Sequence, residues 1–282
     1  MPNNRARKPT TVSIIGLGRM GQALAIALAA AGYRLQALVG RTEKDATADL
    51  AQLPPSELIL ITTPDDAIAE VAARLAAVPK SRAVQTVLHT SGALSSDVLS
   101  PLADAGFHTG SLHPLVSVSE PRAGAKALRG AFYCLEGEPA ALRRARALVK
   151  ALGGQSFFVG AENKALYHAA AVMASPQLVA LFDLATELLA AAGVNPKTAR
   201  QILLPLVAST AKNLAVFSPE QALTGTFARG DVATVRRHLK ALSATKVAGA
   251  LEVYKLLGLQ SVKLAGKSLD PQVVTQIRTL LR

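Results

Sequence analysis

Thr11-Val12-Ser13-Ile14-Ile15-Gly16-Leu17-Gly18-Arg19-Met20-Gly21 decides the fold of this chain. Five residues of strand-forming type run straight into three glycines spaced G-x-G-x-x-G. A helical pattern follows at once, with Met20, Leu24, Ala27, Leu28 and Ala31 on one face and Gly32 as its stop. A G-x-G-x-x-G alone says little. Between a strand and a helix it has a physical meaning. Gly16 permits the tight turn, Gly18 lets a pyrophosphate approach the backbone, and Gly21 lets helix and strand pack closely. The helix start then offers unpaired N–H groups and a positive dipole end to phosphate. Leu17, Arg19 and Met20 complete the expected cradle.

Working outward, the apolar runs alternate with helical patterns. Strands are expected at 35–39, 58–61, 84–88 and 107–112, with helices at 65–77 and 95–105. This alternation predicts an α/β fold: a doubly wound parallel sheet covered on both faces. Two further strands, 132–135 and 156–159, flank a helix at 139–152. Beyond residue 160 the chain turns to long Ala/Leu-rich helical patterns. The expected organisation is a Rossmann domain over 1–160 and an all-α domain over 161–282. Asp231 and Asp270-Pro271 read as helix starts.

The end of the second strand bears on which dinucleotide fits. Sites selective for NAD place a carboxylate about 20 residues downstream, on the ribose 2′-hydroxyl. This chain has Gly40-Arg41-Thr42 there. A guanidinium in place of a carboxylate can fork onto a 2′-phosphate, so NADP(H) is the expected cofactor. Ligands bind such sheets beyond the carboxyl ends of the strands. That rule selects Thr63-Pro64, Thr90-Ser91-Gly92 and His113 as further lining, although turn chemistry alone also favours these residue types.

Bulk composition narrows the classes. Half of the 282 residues are hydrophobic, which can fill a core, and the net charge is +12. The basic excess is spread over both halves and suits an anionic, phosphorylated ligand. Aromatics make up 4% and Trp is absent, so a nucleic-acid surface of stacked rings is not expected. One cysteine, Cys134, fits a reducing, cytoplasmic setting and rules out an internal disulfide. Scattered histidines with one cysteine give no metal-ligand set. The basic start and Ala-rich run at 23–31 imitate a signal peptide, but the glycines, Arg19 and Gln22 interrupt it. No apolar run reaches the ~18 residues of a membrane span, so no membrane partner is expected.

Several spaced motifs resemble one family. They are His89-Thr90-Ser91-Gly92-Ala93-Leu94, Gly110-Ser111-Leu112-His113-Pro114-Leu115, Tyr167-His168-Ala169-Ala170-Ala171, and Leu223-Thr224-Gly225 with Arg229-Gly230-Asp231. Together they resemble Rossmann-like proteins with a DUF2520 C-terminal domain. Those are similar in plan to pyrroline-5-carboxylate reductases, ketopantoate reductases and β-hydroxyacid dehydrogenases. The resemblance implies an NADP-dependent oxidoreductase with a helical, dimerising second domain, and it implies no substrate. Two positions depart from the family pattern: Ser175-Pro176, where Asn usually follows Ser, and Gly225-Thr226, where Pro usually follows Gly.

Reduction of C=O or C=N needs a hydride and a proton donor. Lys164 and His168 stand i, i+4 on one helix face. By resemblance to β-hydroxyacid dehydrogenases, Lys164 is the first candidate acid. A solvated Lys and a packed His are the plainer alternative. His113 is the second candidate, against a structural His before Pro. Thr224, Gly225 and Arg229 are candidate contacts to a small anionic substrate, against a reading in which Asp231 merely caps a helix. The expected function is NADPH-dependent reduction of a small keto or imino acid. The competing one is a cofactor-binding protein without turnover, a redox sensor or assembly partner. A homodimer through the C-terminal helices is also expected.

Overall fold

The computed structural model describes residues 9–40, 50–78 and 85–282. The chain divides into two compact units, Met1–Ser175 and Pro176–Arg282. Each is described by itself.

The first unit opens with β1 (Thr11–Ile15), α1 (Arg19–Ala30), β2 (Arg34–Val39) and β3 (Leu58–Ile61). It continues with α2 (Asp65–Ala76), β4 (Thr86–His89), α3 (Ser100–Asp104) and β5 (His108–Pro114). Then come α4 (Pro121–Leu128), β6 (Phe132–Gly137), α5 (Pro139–Ala151), β7 (Gln155–Phe158) and α6 (Lys164–Ala174). The strands form one sheet in the order β2-β1-β3-β4-β5-β6-β7. Both faces are covered, and the side-chain alternation shows it. Val12, Ile14, Leu58 and Leu60 pack toward α1, α4 and α5. Ile15, Ile59 and Ile61 pack the other way, with Ile68, Ala72 and Leu75 of α2. Near-continuous Ile/Leu/Val strands are the signature of a sheet buried on both sides.

The sheet is parallel except between β5 and β6. This departs from the all-parallel expectation, and the connection explains it. After Pro114 the chain lays α4 on the same face as α1. It then re-enters the sheet with Tyr133 opposite Pro114, at the end where β5 finished. A strand starting there can only run back. The sequence reading overlooked α4. Its signal was Glu120-Pro121: the Glu120 carboxylate accepts from Arg122 N and Ala123 N at 2.9 and 2.8 Å, and Pro121 fills the first turn.

The second unit is helical: α7 (Pro176–Ala191), α8 (Pro196–Leu214), α9 (Pro219–Ala222), α10 (Val232–Ala244), α11 (Ala250–Ala265) and α12 (Pro271–Leu281). Val235, Val262, Ile277 and Leu281 form its small core. The two expected caps are present. Asp231 accepts from Thr234 N at 2.9 Å and Asp270 from Gln272 N at 2.7 Å. Helix α6 ends where Pro176 begins α7, because proline has no N–H to continue the ladder. By length and mean composition alone, the stretch Ala161–Ala191 passes for a membrane-crossing helix, although Lys164, Asp183 and Glu187 interrupt its apolar run. Its first part, however, carries Lys164, Tyr167 and His168 into the polar site of the first unit.

Candidate functional site

A cleft of about 810 Å³ opens at the carboxyl ends of β1, β3, β4 and β5. The strand order reverses beside β1, so this is the switch point where open α/β sheets hold ligands. Each glycine of the first turn has a separate geometric reason. Gly16 has φ +103°, and a Cβ there would lie 2.6 Å from Thr63 N. At Gly21 a Cβ would lie 2.0 Å from Gly16 O, so α1 can approach the turn only without a side chain. At Gly18 a Cβ would meet nothing within 4 Å, and the position lines the cleft. Gly16 and Gly21 therefore serve the protein, and Gly18 leaves room for a ligand.

No side chain caps the start of α1 at Gly18, so its first amides face the cleft without a side-chain partner. Leu17, Arg19, Met20 and Gly40 line the same space. So do Thr63, Pro64 and Thr90. Thr63 Oγ1 is buried with no hydrogen-bond partner, an orphaned polar atom aimed at the lining. An open glycine, an uncapped helix start and an orphaned hydroxyl together fit a bound dinucleotide's pyrophosphate and ribose. Arg41 and Thr42 lie outside the described residues.

The far end of the cleft is built on the turn after β4. Ser91 Oγ donates to Asp65 Oδ2 at 2.8 Å and accepts from Ala93 N and Leu94 N at 3.2 and 3.0 Å. His89 is fully buried behind it. Its Nδ1 accepts from Ser91 N at 3.2 Å and its Nε2 lies 3.1 Å from Ser95 O, so Nε2 carries the proton. Burial, and then the Lys164 charge, hold His89 down to about 4.

His113 and His168 line this end of the cleft beside Gly92, with ring centroids 5.7 Å apart. His113 Nδ1 lies 2.6 Å from Tyr167 Oη, and Cys134 stands opposite His113 on β6, near enough to Tyr167 to act on its hydroxyl. Burial, then Lys164, then His168 lower His113 to about 4, so its ring is neutral at pH 7. Lys164 is 1% exposed. Its Nζ donates to Ser111 Oγ at 2.8 Å and to Ser91 O at 3.3 Å, and burial lowers its pKa. Lys164 stands behind the Ser91-Gly92 backbone and is not part of the cleft wall.

The structure thus gathers the glycine turn, Thr63, Pro64, Thr90, Ser91, Gly92, His113 and His168 around one space, with Lys164 one layer behind. Thr224, Gly225 and Arg229 belong to the second unit. There Gly225 has φ +81° and its carbonyl accepts from Arg229 N at 3.2 Å. Hydrogen bonds from Thr234 hold the Asp231 carboxyl below its ordinary range, as a helix cap does. Three residues with a part here escaped the sequence reading. Glu136 is buried opposite Ser111 and accepts from Ser96 N and Oγ at 2.7 Å each. Tyr167 and Cys134 support His113. Only the antiparallel β5–β6 register brings Cys134 and Glu136 here, and no spacing in the sequence announces it.

Residues 3–114 match the Rossmann-like domain family, and residues 131–261 match DUF2520, a domain of unknown function. The chain thus carries a Rossmann-like domain followed by a DUF2520 domain. No curated protein matches it in sequence. Its fold is similar to a presumed NADP oxidoreductase of Bacteroides fragilis: 23% identity, 91% of this chain and 99% of that one, TM-score 0.73. It is also similar to a reductive aminase of Aspergillus terreus in complex with NADPH and ethyl levulinate: 20% identity, 96% and 99%, TM-score 0.63. A third likeness is to a Plasmodium falciparum pyrroline carboxylate reductase with NADP bound: 10% identity, 98% and 100%, TM-score 0.61.

Proposed function

We propose that this protein is an NADP(H)-dependent oxidoreductase that reduces the C=O or C=N group of a small keto or imino acid. The carrying observation is the cleft itself. One end is a glycine turn with an open Gly18 and an orphaned Thr63 hydroxyl, and the other is a wall of polar donors at Gly92, His113 and His168. The likeness to proteins whose structures hold NADPH and NADP supports the same reading. When bound, the nicotinamide supplies the hydride. The chain's own part is to hold the pyrophosphate on α1, to seat the ribose against Thr63 and Thr90, and to present Gly92, His113 and His168 to the substrate. Arg41 supplies the preference for the 2′-phosphate.

Fluorescence titration with NADPH and NADH tests this. The expected result is micromolar NADPH binding, weaker NADH binding, and loss of the preference in Arg41→Ala. No binding of either nucleotide would remove the reading. A second reading, cofactor binding without turnover, is favoured by one observation: the Lys164 ammonium is not in the cleft wall. Steady NADPH oxidation with any member of a keto-acid and imine panel decides against it. We also propose a homodimer through the C-terminal helices, in a cytoplasmic setting that suits the buried thiol of Cys134.

A further inference from the structure

From Thr90 to Leu94, the turn after β4 satisfies every amide but one. Thr90 N donates to Ile61 O at 3.0 Å and Ser91 N to His89 Nδ1 at 3.2 Å. Ala93 N and Leu94 N both donate to Ser91 Oγ. Among the described residues, the Gly92 N–H has no acceptor. A buried amide left without one is uncommon, because its desolvation is then uncompensated. Gly92 is buried and lines the cleft, so the missing acceptor is one that the cleft supplies.

The other end of the same peptide carries a charge. Ser91 O accepts from Lys164 Nζ at 3.3 Å. The peptide is trans, so its C=O and N–H point in opposite directions. The ammonium therefore sits behind the bond and the N–H faces away from it. With Lys164 1% exposed, little water or salt screens that charge. The carboxylates of Asp65 and Glu136 act on the Lys164 charge, and each is also hydrogen-bonded, Asp65 by the Ser91 hydroxyl and Glu136 by Ser96. The edge of His113 completes the corner: a Cβ on Gly92 would lie 2.9 Å from its Cε1 and Nε2. In the tautomer where the Tyr167 hydroxyl donates to Nδ1, the ring's proton is on Nε2, facing this corner, and the proposal takes that tautomer.

We propose that the Gly92 N–H and the His113 Nε2–H form a two-point anion corner, charged from behind by Lys164 through the Ser91–Gly92 peptide, that holds the substrate's carboxylate. This rests on the reductase reading and adds to it the substrate class, an acid recognised within the nucleotide-binding unit. Lys164 is then a positioning residue that acts through Gly92, and the reacting group receives no proton from it.

The test follows the Gly92 amide in a ¹⁵N–¹H correlation spectrum of the full chain, saturated with NADP⁺ and titrated with oxalate. The Gly92 signal is expected to move downfield with oxalate. Lys164→Met is expected to weaken oxalate binding about tenfold or more, the worth of one charge-assisted hydrogen bond. Gly92→Ala keeps the charge but puts a methyl against His168, at 2.4 Å from Cδ2, and is also expected to lose oxalate. It serves if Lys164→Met does not fold. A Gly92 signal that moves with NADP⁺ alone and ignores oxalate assigns the amide to the cofactor and overturns the proposal. Unchanged oxalate affinity in Lys164→Met overturns it too. Failure of NADP⁺ to bind strikes the reductase reading instead, and oxalate added to the protein alone still reads the corner.

Discussion

Three glycines in one turn differ in what a methyl group would do, and the difference is measurable. Gly21→Ala forces a Cβ toward Gly16 O, which is backbone and cannot swing aside. It is expected to cost at least about 2 kcal/mol of stability, seen as a lower melting temperature. Gly18→Ala meets no protein atom within 4 Å, so the melting temperature should hold while NADPH affinity falls about tenfold or more. Equal losses of stability in both variants would contradict the division of roles. The histidines set a second residue-scale prediction. His89 and His113 are lowered to about 4, below the ordinary 6.5. A ring kept neutral by folding contributes its full stability above pH 6.5 and loses it as pH falls toward 4. The unfolded chain binds the extra protons in that window. Each ring is worth of order 3 kcal/mol over the window. Melting temperature should therefore drop between pH 6.5 and 4, and drop less in His89→Gln.

At the scale of elements, the β4 turn is a local device that the sequence disguises as an ordinary loop. Ser91 Oγ holds two amides and one carboxylate in a buried position. Ser91→Ala leaves Ala93 N and Leu94 N unpaired and is expected to destabilise by about 1–3 kcal/mol. Urea unfolding checks this, and a change below about 0.5 kcal/mol, the range of ordinary surface substitutions, would show the turn held by other contacts. Helix boundaries behaved differently. Asp231 and Asp270 cap α10 and α12 as their sequence context suggested, because capping is decided within four residues. The β6 strand could not be oriented from sequence, since its direction depends on α4 lying against α1.

For the whole molecule, the second unit is the part that a single chain covers least. Ile202 and Leu206 on α8 are 53% and 63% exposed, and Val179 on α7 is 69% exposed. Ile202 and Leu206 stand i, i+4 on one face, an apolar stripe of the kind that marks an interface. Light scattering at micromolar concentration is expected to give twice the 29.3 kDa chain mass. Replacing Ile202 and Leu206 by Glu should shift it toward the monomer. A wild-type monomer at that concentration would end the dimer proposal. The expected boundary near residue 160 and the compact division after Ser175 differ by the length of α6. That helix looks like the start of the helical domain by composition. Its Lys164 is anchored by Ser91 and Ser111 of the sheet domain, which places it with the first unit.

The sequence by itself determined the parallel strands β1 to β5, the glycine turn and the strand ends that supply the cleft. Each follows from local rules: period-two burial, φ freedom at Gly16, and helix starts read from a few residues. Only the tertiary structure decided that Lys164 lies behind the cleft wall, that Glu136 and Cys134 reach the site, and that the Gly92 amide faces the cleft without an acceptor among the described residues. Those facts depend on groups brought together across 40 to 73 residues of chain by an antiparallel register and a buried ammonium. No spacing rule carries information over that distance, because it is packing that sets which of the possible partners meet.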